Sequence, residues 1–200
     1  MIANTTVSII VPMYNNEQFI TETIQSVLNQ TYNDFEMLIV DDCSNDKSVS
    51  IVESFCKKDA RIKLIKLENN SGAAFARNKA ISVANGRYIA FLDADDLWKK
   101  DKLKKQIEFM DAKKCGFSCA SYEVIAEDGT DLQKKIKMLP KLDYKGFLTN
   151  NLLQTVGIMI DRNIVSDELI KMPDLRRRQD AATWLQILKS GHECTVLKIH

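Results

Sequence analysis

The sequence predicts an α/β fold in which a mainly parallel, Rossmann-like sheet lies between two layers of helices. Short apolar runs alternate with amphipathic segments in the order β-α-β-α-β-α-β within the first hundred residues, and polar residues follow three of these strands. Such alternation is typical of a parallel sheet, because each crossover helix packs back onto a face of the sheet. The later residues predict a mixed half built onto the same sheet, so we expect the 200 residues to form one domain.

Composition excludes several classes of protein. A net charge of +1 supplies no global field for nucleic acid, and 45% hydrophobic residues is ordinary for a soluble globular chain. No apolar run reaches the roughly eighteen residues of a membrane span, and the first residues lack the basic start and cleavage site of a signal peptide. The five cysteines show no CxxC pairing, which is typical of reduced thiols. We therefore expect a cytoplasmic protein that binds no nucleic acid.

The first half alternates predicted strands and helices. The strands are the apolar runs at residues 7–11, 35–40, 62–67 and from 88 onward. Pro12 is expected to end the first strand, because proline has no N–H to donate. Three segments between the strands have the apolar spacing of helices: residues 17–30, a segment ending near Cys56 that Ser44, Asn45 and Asp46 can cap, and a segment from Gly72 to about Val83.

The second half carries shorter signals. A lysine-rich amphipathic helix has Leu103, Ile107 and Met110 on one face. The segment from Glu127 to Thr130 is a hairpin turn signal, so antiparallel pairing is expected between a strand at 117–125 and a partner at 132–138. The further predicted elements are a short helix at 144–151, a strand at 155–160, a helix at 179–190 and a strand at 195–199.

Clustered carboxylates follow the strand that begins at Tyr88. Asp93, Asp95 and Asp96 are three carboxylates within four positions, and like charges this close need a cation or hydrogen-bond donors. Hard cations such as Mg²⁺ are held by one or two carboxylates together with substrate phosphates. Because the carboxyl ends of parallel strands meet at one edge of a sheet, where ligands bind, these residues predict a metal–phosphate site. The alternative is that one carboxylate only caps the next helix, and we expect Asp96 to be that cap.

Other candidate residues support two interpretations each. Asp41, which with Asp42 ends the second strand, could accept the N–H of a pyrimidine imide or a ribose hydroxyl, or it could be a solvated loop acid. Arg77, one turn into a helix that begins with small residues, could lie near a diphosphate or form a surface ion pair. Asp180 begins a predicted helix, and from the residues alone an acid that favours the helix dipole is preferred over a general base. His192 and His200 have no zinc-ligand spacing.

Taken together, these motifs resemble the family 2 glycosyltransferases of GT-A fold. The matching stretches are VSIIVPMYN at 7–15, SVLNQT at 26–31, IVDDCSND at 39–46, NSGAAFARN at 70–78 and GRYIAFLDADD at 86–96. In the second half only DAATWL at 180–185 and Gly191 match well.

The resemblance implies an inverting, nucleotide-sugar-dependent transferase. Tyr14 would stack on the base, Asp41 would accept from the base imide, and Pro12 and Glu17 would line the same pocket. Arg77 would lie near the nucleotide and Asp93 would contact the ribose or the sugar. Asp95 would hold Mg²⁺ or Mn²⁺ on the diphosphate, and Asp180 would be the catalytic base.

The resemblance also implies the partners and the division of the domain. The donor would be a nucleotide-sugar, by resemblance a UDP-sugar, and the acceptor a hydroxyl-bearing or lipid-linked glycan of cell-surface polysaccharide assembly. Residues 1–98 would form the nucleotide-sugar half and residues 99–200 the acceptor half, truncated at its C-terminus relative to the family. A peripheral contact with the inner face of the membrane is compatible with this arrangement.

The chain departs from the family pattern in two places. The acidic pair before the last helix is here Gln179 and Asp180, which keeps only the second acid, and the QxxRW signature of processive synthases is absent, which favours transfer of a single sugar.

Three other classes of protein share part of this pattern. A phosphatase of the haloacid dehalogenase type has its Asp-x-Asp motif on the first strand, not the fourth. A nucleotidyltransferase usually has a basic glycine-rich loop after the first strand. A non-catalytic sugar-nucleotide-binding module would have lost the base, and the presence of Asp180 speaks against it.

Overall fold

The computed structural model describes residues 6–126, 130–135, 138–149 and 153–198. The strands are β1 (Val7–Met13), β2 (Phe35–Asp41), β3 (Ile62–Lys66), β4 (Tyr88–Phe91), β5 (Phe117–Ala120), β6 (Glu123–Ile125), β7 (Asp131–Lys135), β8 (Lys141–Leu142), β9 (Ile158–Asp161) and β10 (Cys194–Leu197). The helices are α1 (Ile20–Leu28), α2 (Ser48–Cys56), α3 (Ala73–Val83), α4 (Lys102–Lys113), α5 (Tyr144–Thr149), α6 (Asp167–Ile170) and α7 (Gln179–Lys189), and a 3-10 turn spans Thr155–Gly157.

One mixed sheet carries the fold, with the strand order β3-β2-β1-β4-β9-β5-β10-β8. The first four strands are mutually parallel, and β5 is parallel to β10. Strand β9 runs antiparallel to both β4 and β5, and β8 runs antiparallel to β10. The predicted α/β fold with a mainly parallel sheet and a mixed second half is confirmed.

Apolar side chains cover both faces of this sheet. Successive residues of a strand point to opposite faces, so Ile10 packs with α3 and α7 while its neighbours Ile9 and Val11 pack with α1, α2 and α4. Trp184 of α7 is fully buried in the first of these layers. The two helix layers of the predicted sandwich are therefore present, and they hold the strand ends in fixed positions.

The prediction that Pro12 ends the first strand is wrong, since β1 continues to Met13. The Ile10 carbonyl accepts from Leu92 N–H at 3.1 Å, so Ile10, and with it Pro12 two residues later, faces β4. Strand β4 ends at Phe91. On that side of Pro12 there is therefore no β4 residue whose carbonyl would accept a hydrogen bond from the N–H that proline lacks. Proline is tolerated in a strand at such a position.

The second half differs from its sequence pattern in four places. The predicted strand 117–125 is split into β5 and β6, and β6 pairs antiparallel with β7 as a separate two-stranded sheet. The hairpin pairing is thus confirmed, whereas residues 127–129 of its turn signal lie outside the described residues. The predicted strand 155–160 begins as the 3-10 turn, and neither β8 nor α6 was predicted.

Within the described ranges, no helix combines the length and the apolar composition that crossing a bilayer requires.

Candidate functional site

A cavity of about 220 Å³ opens where β1, β2 and β4 end. Its walls are formed by Pro12, Met13, Tyr14, Asn16, Asp42, Ala73, Arg77, Asp93, Ala94 and Asp95. The cavity therefore lies at the carboxyl edge of the parallel strands, as the polar residues after those strands predicted. Of the residues named from the sequence, it brings together Pro12, Tyr14, Arg77, Asp93 and Asp95.

Arg77 is buried and paired with the first carboxylate of the cluster. Its side chain is only 7% exposed, and Nη2 donates to Asp93 Oδ1 at 2.5 Å. The alternative of a surface ion pair is therefore wrong. The Arg77 Nε–H has no hydrogen-bond partner within the described ranges, so the guanidinium retains a buried donor next to the cavity.

The other two carboxylates of the cluster have different surroundings. Asp95 is exposed at the cavity wall and has no ion-pair or hydrogen-bond partner among the residues the structure describes. Asp96 is partly buried, and burial together with the negative charges of Asp93 and Asp95 raises its pKa to about 7. Asp93 is paired with Arg77 and the raised pKa of Asp96 favours its neutral form, so Asp95 is the exposed carboxylate of the cluster that lacks a cationic partner among the described residues.

The prediction that Asp96 caps the next helix is wrong. Helix α4 begins at Lys102, and its N-cap residue is Asp101, which makes no side-chain capping bond. Residues 92–101 form loop and turns, and Trp98 within this segment is buried in the core.

At the end of β2, the structure places Asp42, not Asp41, in the cavity wall. Both Asp41 oxygens accept the Ser44 N–H at 3.3 Å, and the side chain is buried beside the wall. Asp42 accepts the Ser71 N–H at 2.6 Å and the Gly72 N–H at 2.8 Å. When two carboxylates are adjacent at a strand end, the sequence does not indicate which of them faces the cavity. Only the structure distinguishes Asp42 from Asp41.

Gly72 shows why this turn leads directly into α3. Its φ is +86°, a backbone conformation that residues other than glycine rarely adopt. Gly72 directly precedes Ala73, the first residue of α3. By holding this turn, Asp42 also sets the position of Arg77 one turn into the helix.

Tyr14 and Glu17 follow β1 but have different roles in the loop. The Tyr14 ring is 47% exposed at the cavity wall, and its N–H donates to Asn16 Oδ1 at 3.0 Å. Glu17 is outside the wall: its Oε2 accepts the Lys47 N–H, and its own N–H donates to Asp46, both at 2.9 Å. Glu17 thus joins the loop after β1 to the start of α2. Asn16, which the sequence did not indicate as a site residue, lines the cavity.

Asp180 lies at the same edge of the sheet but outside the cavity wall. Strand β9 is antiparallel to β4, with Met159 opposite Ala90, so the 3-10 turn before β9 is at the carboxyl end of β4. Thr155 in that turn donates its hydroxyl to Asp180 Oδ2 at 3.1 Å. One turn further along α7, Trp184 packs on Phe91 with ring centroids 5.3 Å apart.

Within the described part of the chain, no three acidic, thiol or imidazole side chains converge as metal ligands.

A mixed, mostly parallel sheet with acidic strand ends facing a cavity is the arrangement expected of a GT-A type α/β fold. The sequence profile described as "Glycosyl transferase family 2" matches residues 8–167. The chain belongs to this family, as the resemblance predicted, and this favours a transferase over the phosphatase and nucleotidyltransferase alternatives.

Two relatives illustrate the match. Over 185 residues the chain is 50% identical to the "Putative teichuronic acid biosynthesis glycosyltransferase TuaG" of Bacillus subtilis, covering 92% of this chain and 73% of the relative. It is 38% identical over 186 residues to the Escherichia coli "UDP-Glc:alpha-D-GlcNAc-diphosphoundecaprenol beta-1,3-glucosyltransferase WfgD", covering 93% of this chain and 71% of the relative.

Solved structures agree on the fold. A crystal structure of S. aureus TarS residues 1–349 in complex with UDP superposes with a TM-score of 0.81 at 25% identity, covering 96% of this chain and 57% of that one. The mannosyltransferase PcManGT of Pyrobaculum calidifontis, in complex with GDP-Man and Mn²⁺, gives a TM-score of 0.74 at 20% identity, over 96% of this chain and 54% of that one. The chain thus spans a little over half the length of these solved structures.

Proposed function

We propose that this chain is an inverting glycosyltransferase that moves one sugar from a nucleotide-sugar to an acceptor hydroxyl in cell-surface polysaccharide assembly. The observation that carries the proposal is the cavity at the carboxyl edge of the sheet, with Asp93, Asp95 and Arg77 in its wall and Asp180 at the same edge. The nucleotide-sugar half is residues 1–98 and the acceptor half residues 99–200. The name of WfgD, which includes UDP-Glc, and the TarS complex with UDP support a UDP-sugar as donor, and the name of TuaG supports a role in cell-surface polysaccharide assembly.

The base of the donor is proposed to lie between Tyr14 and the end of β2. The exposed Tyr14 ring offers a stacking face, and Pro12 forms the adjacent wall. We move the imide contact expected for Asp41 to Asp42, because Asp42 lines the cavity. Each carboxylate oxygen has two lone pairs, so Asp42 can accept a further donor besides the backbone N–H groups it already holds. Glu17 then supports this pocket from outside its wall.

The diphosphate and the sugar are assigned to the other wall. Asp93, held by Arg77, has acceptor capacity left for a ribose or sugar hydroxyl. The buried, unpartnered Nε–H of Arg77 can donate toward the nucleotide. Asp95 is the carboxylate free to hold Mg²⁺ or Mn²⁺, and a single exposed carboxylate fits an ion that it shares with a diphosphate. Such an ion would act as a Lewis acid that stabilises charge on the departing diphosphate.

Asp180 is proposed as the general base. A carboxylate at this edge can take the proton of an acceptor hydroxyl as its oxygen attacks the anomeric carbon from the face opposite the diphosphate, which inverts the configuration. Transfer by this route needs one base and no second protein carboxylate as nucleophile.

The acceptor is proposed to be a glycan carried on a lipid diphosphate, as in the name of WfgD. Arg176, Arg177 and Arg178 are exposed and precede Asp180 by two to four residues, which supports an anionic group beside the base. Their charge also suits a peripheral contact of a cytoplasmic enzyme with the inner face of the membrane.

A donor-binding panel tests the proposal. UDP-, GDP- and dTDP-sugars are titrated into the protein with and without Mn²⁺, and metal-dependent binding of at least one donor is expected. Asp95→Ala should abolish the metal dependence, whereas Glu108→Ala, which removes an exposed acid of α4 outside the cavity wall, should not. Absence of binding to every donor, or metal-dependent binding that survives Asp95→Ala, would contradict the assignment.

A further inference from the structure

The 3-10 turn Thr155–Gly157 is held by hydrogen bonds at two of its carbonyls. Trp98 Nε1 donates to the Val156 carbonyl at 3.0 Å, and Gln106 Nε2 donates to the Gly157 carbonyl at 2.9 Å. A Cβ added to Gly157 would lie 2.4 Å from the Ala120 carbonyl oxygen, so only glycine lets the turn approach β5 this closely. The turn therefore has little freedom to move.

Trp98 is itself fixed in the core. It is buried, and the buried Nζ of Lys102 lies 3.8 Å from the centroid of its ring. Trp98 is also three residues after Asp95 in the same loop. The loop that carries the donor-side carboxylates is thus the one that holds the 3-10 turn.

The turn presents one hydroxyl to the base. Thr155 is buried, and its Oγ1 lies 3.1 Å from Asp180 Oδ2. An ionised carboxylate can only accept, so the hydroxyl donates. Asp180 Oδ1 has no partner within the described ranges, and the side chain is partly exposed. One oxygen of Asp180 therefore accepts from a buried hydroxyl, whereas the other has its acceptor capacity left.

We propose that Thr155 is a positioning residue for glycosyl transfer. By holding Asp180 Oδ2, its hydroxyl orients Oδ1 toward the acceptor oxygen, and through Trp98 it places the base at a fixed position relative to Asp95. The inference rests on the proposed function, in which Asp180 takes the acceptor proton. General-base catalysis requires the base within hydrogen-bond reach of the proton, so a freely rotating carboxylate loses turnover before it loses donor binding.

A purely structural role for the Thr155 hydroxyl makes a different prediction. In that case its removal lowers stability, and any loss of activity is independent of Asp180. The two roles are separated by variants that change the hydroxyl alone. Thr155→Val keeps the branched shape and removes the hydroxyl, and Thr155→Ser keeps the hydroxyl.

The experiment measures release of nucleoside diphosphate from the donor selected by the binding panel. The acceptor is a synthetic N-acetylglucosamine diphosphate with an alkyl tail, or water where the glycan is not accepted. Thr155→Val should lower kcat by about 10- to 100-fold with the KM of the donor nearly unchanged, and Thr155→Ser should restore most of the rate. Thr183→Val is the matched control, because Thr183 is an equally buried threonine of α7 whose hydroxyl donates to the Gln179 carbonyl.

A double-mutant cycle identifies the route of the effect. If Thr155 acts through Asp180, adding Thr155→Val to Asp180→Asn should lower the residual rate no further. If the loss is the same in both backgrounds, or if Thr155→Val has the wild-type kcat while Asp180→Asn is inactive, the positioning role is overturned and the proposed function stands. If Asp180→Asn keeps full turnover, the proposed base itself is wrong.

A second pair covers the case in which Thr155→Val does not fold. Thr155→Ser and Thr155→Ala lose the same methyl group and differ only in the hydroxyl. The serine variant should be at least about 10-fold faster at equal donor affinity. Equal rates for this pair would overturn the inference.

Discussion

The two halves of the molecule hold their candidate site residues in different ways. In residues 1–98 the site residues follow parallel strands, and their contacts are made within that half, as between Arg77 and Asp93 or Asp42 and Gly72. In residues 99–200 the candidate base Asp180 accepts one hydrogen bond, from the hydroxyl of Thr155 in the 3-10 turn. That turn is held in place by Trp98 of the first half. Donor binding should therefore tolerate changes in the second half, whereas turnover should depend on both halves.

The largest expected effect separates the halves most directly. Asp180→Asn should lower transfer roughly a thousand-fold, because the amide cannot take the acceptor proton. Donor affinity should stay within a factor of about two, since Asp180 is outside the cavity wall. Calorimetric titration of the donor and an assay of nucleoside diphosphate release check the two expectations. A parallel loss of donor affinity would mean that the halves are not independent.

Arg77→Met, a change in the first half, should weaken donor binding, which Asp180→Asn should leave nearly unchanged. Removing the guanidinium leaves Asp93 without its ion-pair partner, so we expect donor affinity to fall roughly 10-fold and the free energy of unfolding to fall by about 1–3 kcal/mol. Urea unfolding and donor titration measure both quantities. Arg61→Met is the matched control, because it removes an arginine paired with Asp59 away from the cavity. If both variants weaken donor binding equally, the effect does not come from the site.

Trp98→Phe tests the connection between the halves. The phenyl ring keeps the apolar contacts but leaves the Val156 carbonyl without its donor, which we expect to lower stability by about 1–2 kcal/mol. The turn that carries Thr155 then moves relative to Asp95, and kcat should fall by roughly 5- to 10-fold at unchanged donor affinity. An unchanged kcat in a destabilised protein would show that Trp98 supports the fold alone.

The smallest effect on activity is expected at the opposite edge of the sheet. Glu36 in β2 is buried; burial alone would raise its pKa, but hydrogen bonds from Lys63, Ser8 and the Asn85 N–H outweigh burial and hold the pKa below 4.5. A carboxyl whose folded pKa is depressed stabilises the protein above its unfolded pKa, and that stability is lost as the pH falls through the folded value.

Glu36→Gln should therefore lower the free energy of unfolding at pH 7 by about 1–3 kcal/mol, and the difference from wild type should shrink below pH 4.5. The rate of transfer should not change, because Glu36 is far from the carboxyl edge of the strands. Chemical denaturation at several pH values, with the transfer assay as control, checks both points. If the difference in free energy of unfolding between the variant and the wild type grew at low pH, the pKa of Glu36 would not be lowered by folding.

The order of elements was predictable because strand and helix signals are local. Runs of apolar residues, helical spacing and turn residues identified every element of the first half, whereas β8, with two residues, and α6, with four, are too short to leave a pattern. The sequence does not show that β1 continues through Pro12, because a strand tolerates proline only where no neighbouring strand needs the missing N–H. The local sequence does not show that Asp96 caps no helix, because a loop with the buried Trp98 separates it from the start of α4 at Lys102.

By itself, the sequence determined that a group of acidic residues and an arginine come together at one edge of a parallel sheet. This follows from topology, since right-handed crossovers bring the carboxyl ends of parallel strands to the same side whatever the details of packing. Only the tertiary structure decided that Asp42 faces the cavity, that Arg77 is buried against Asp93, and that Thr155 holds Asp180. Thr155 and Asp180 are 25 residues apart, and the antiparallel strand β9 lies between them in the chain. Their contact therefore depends on packing between separate elements, which no local sequence pattern indicates.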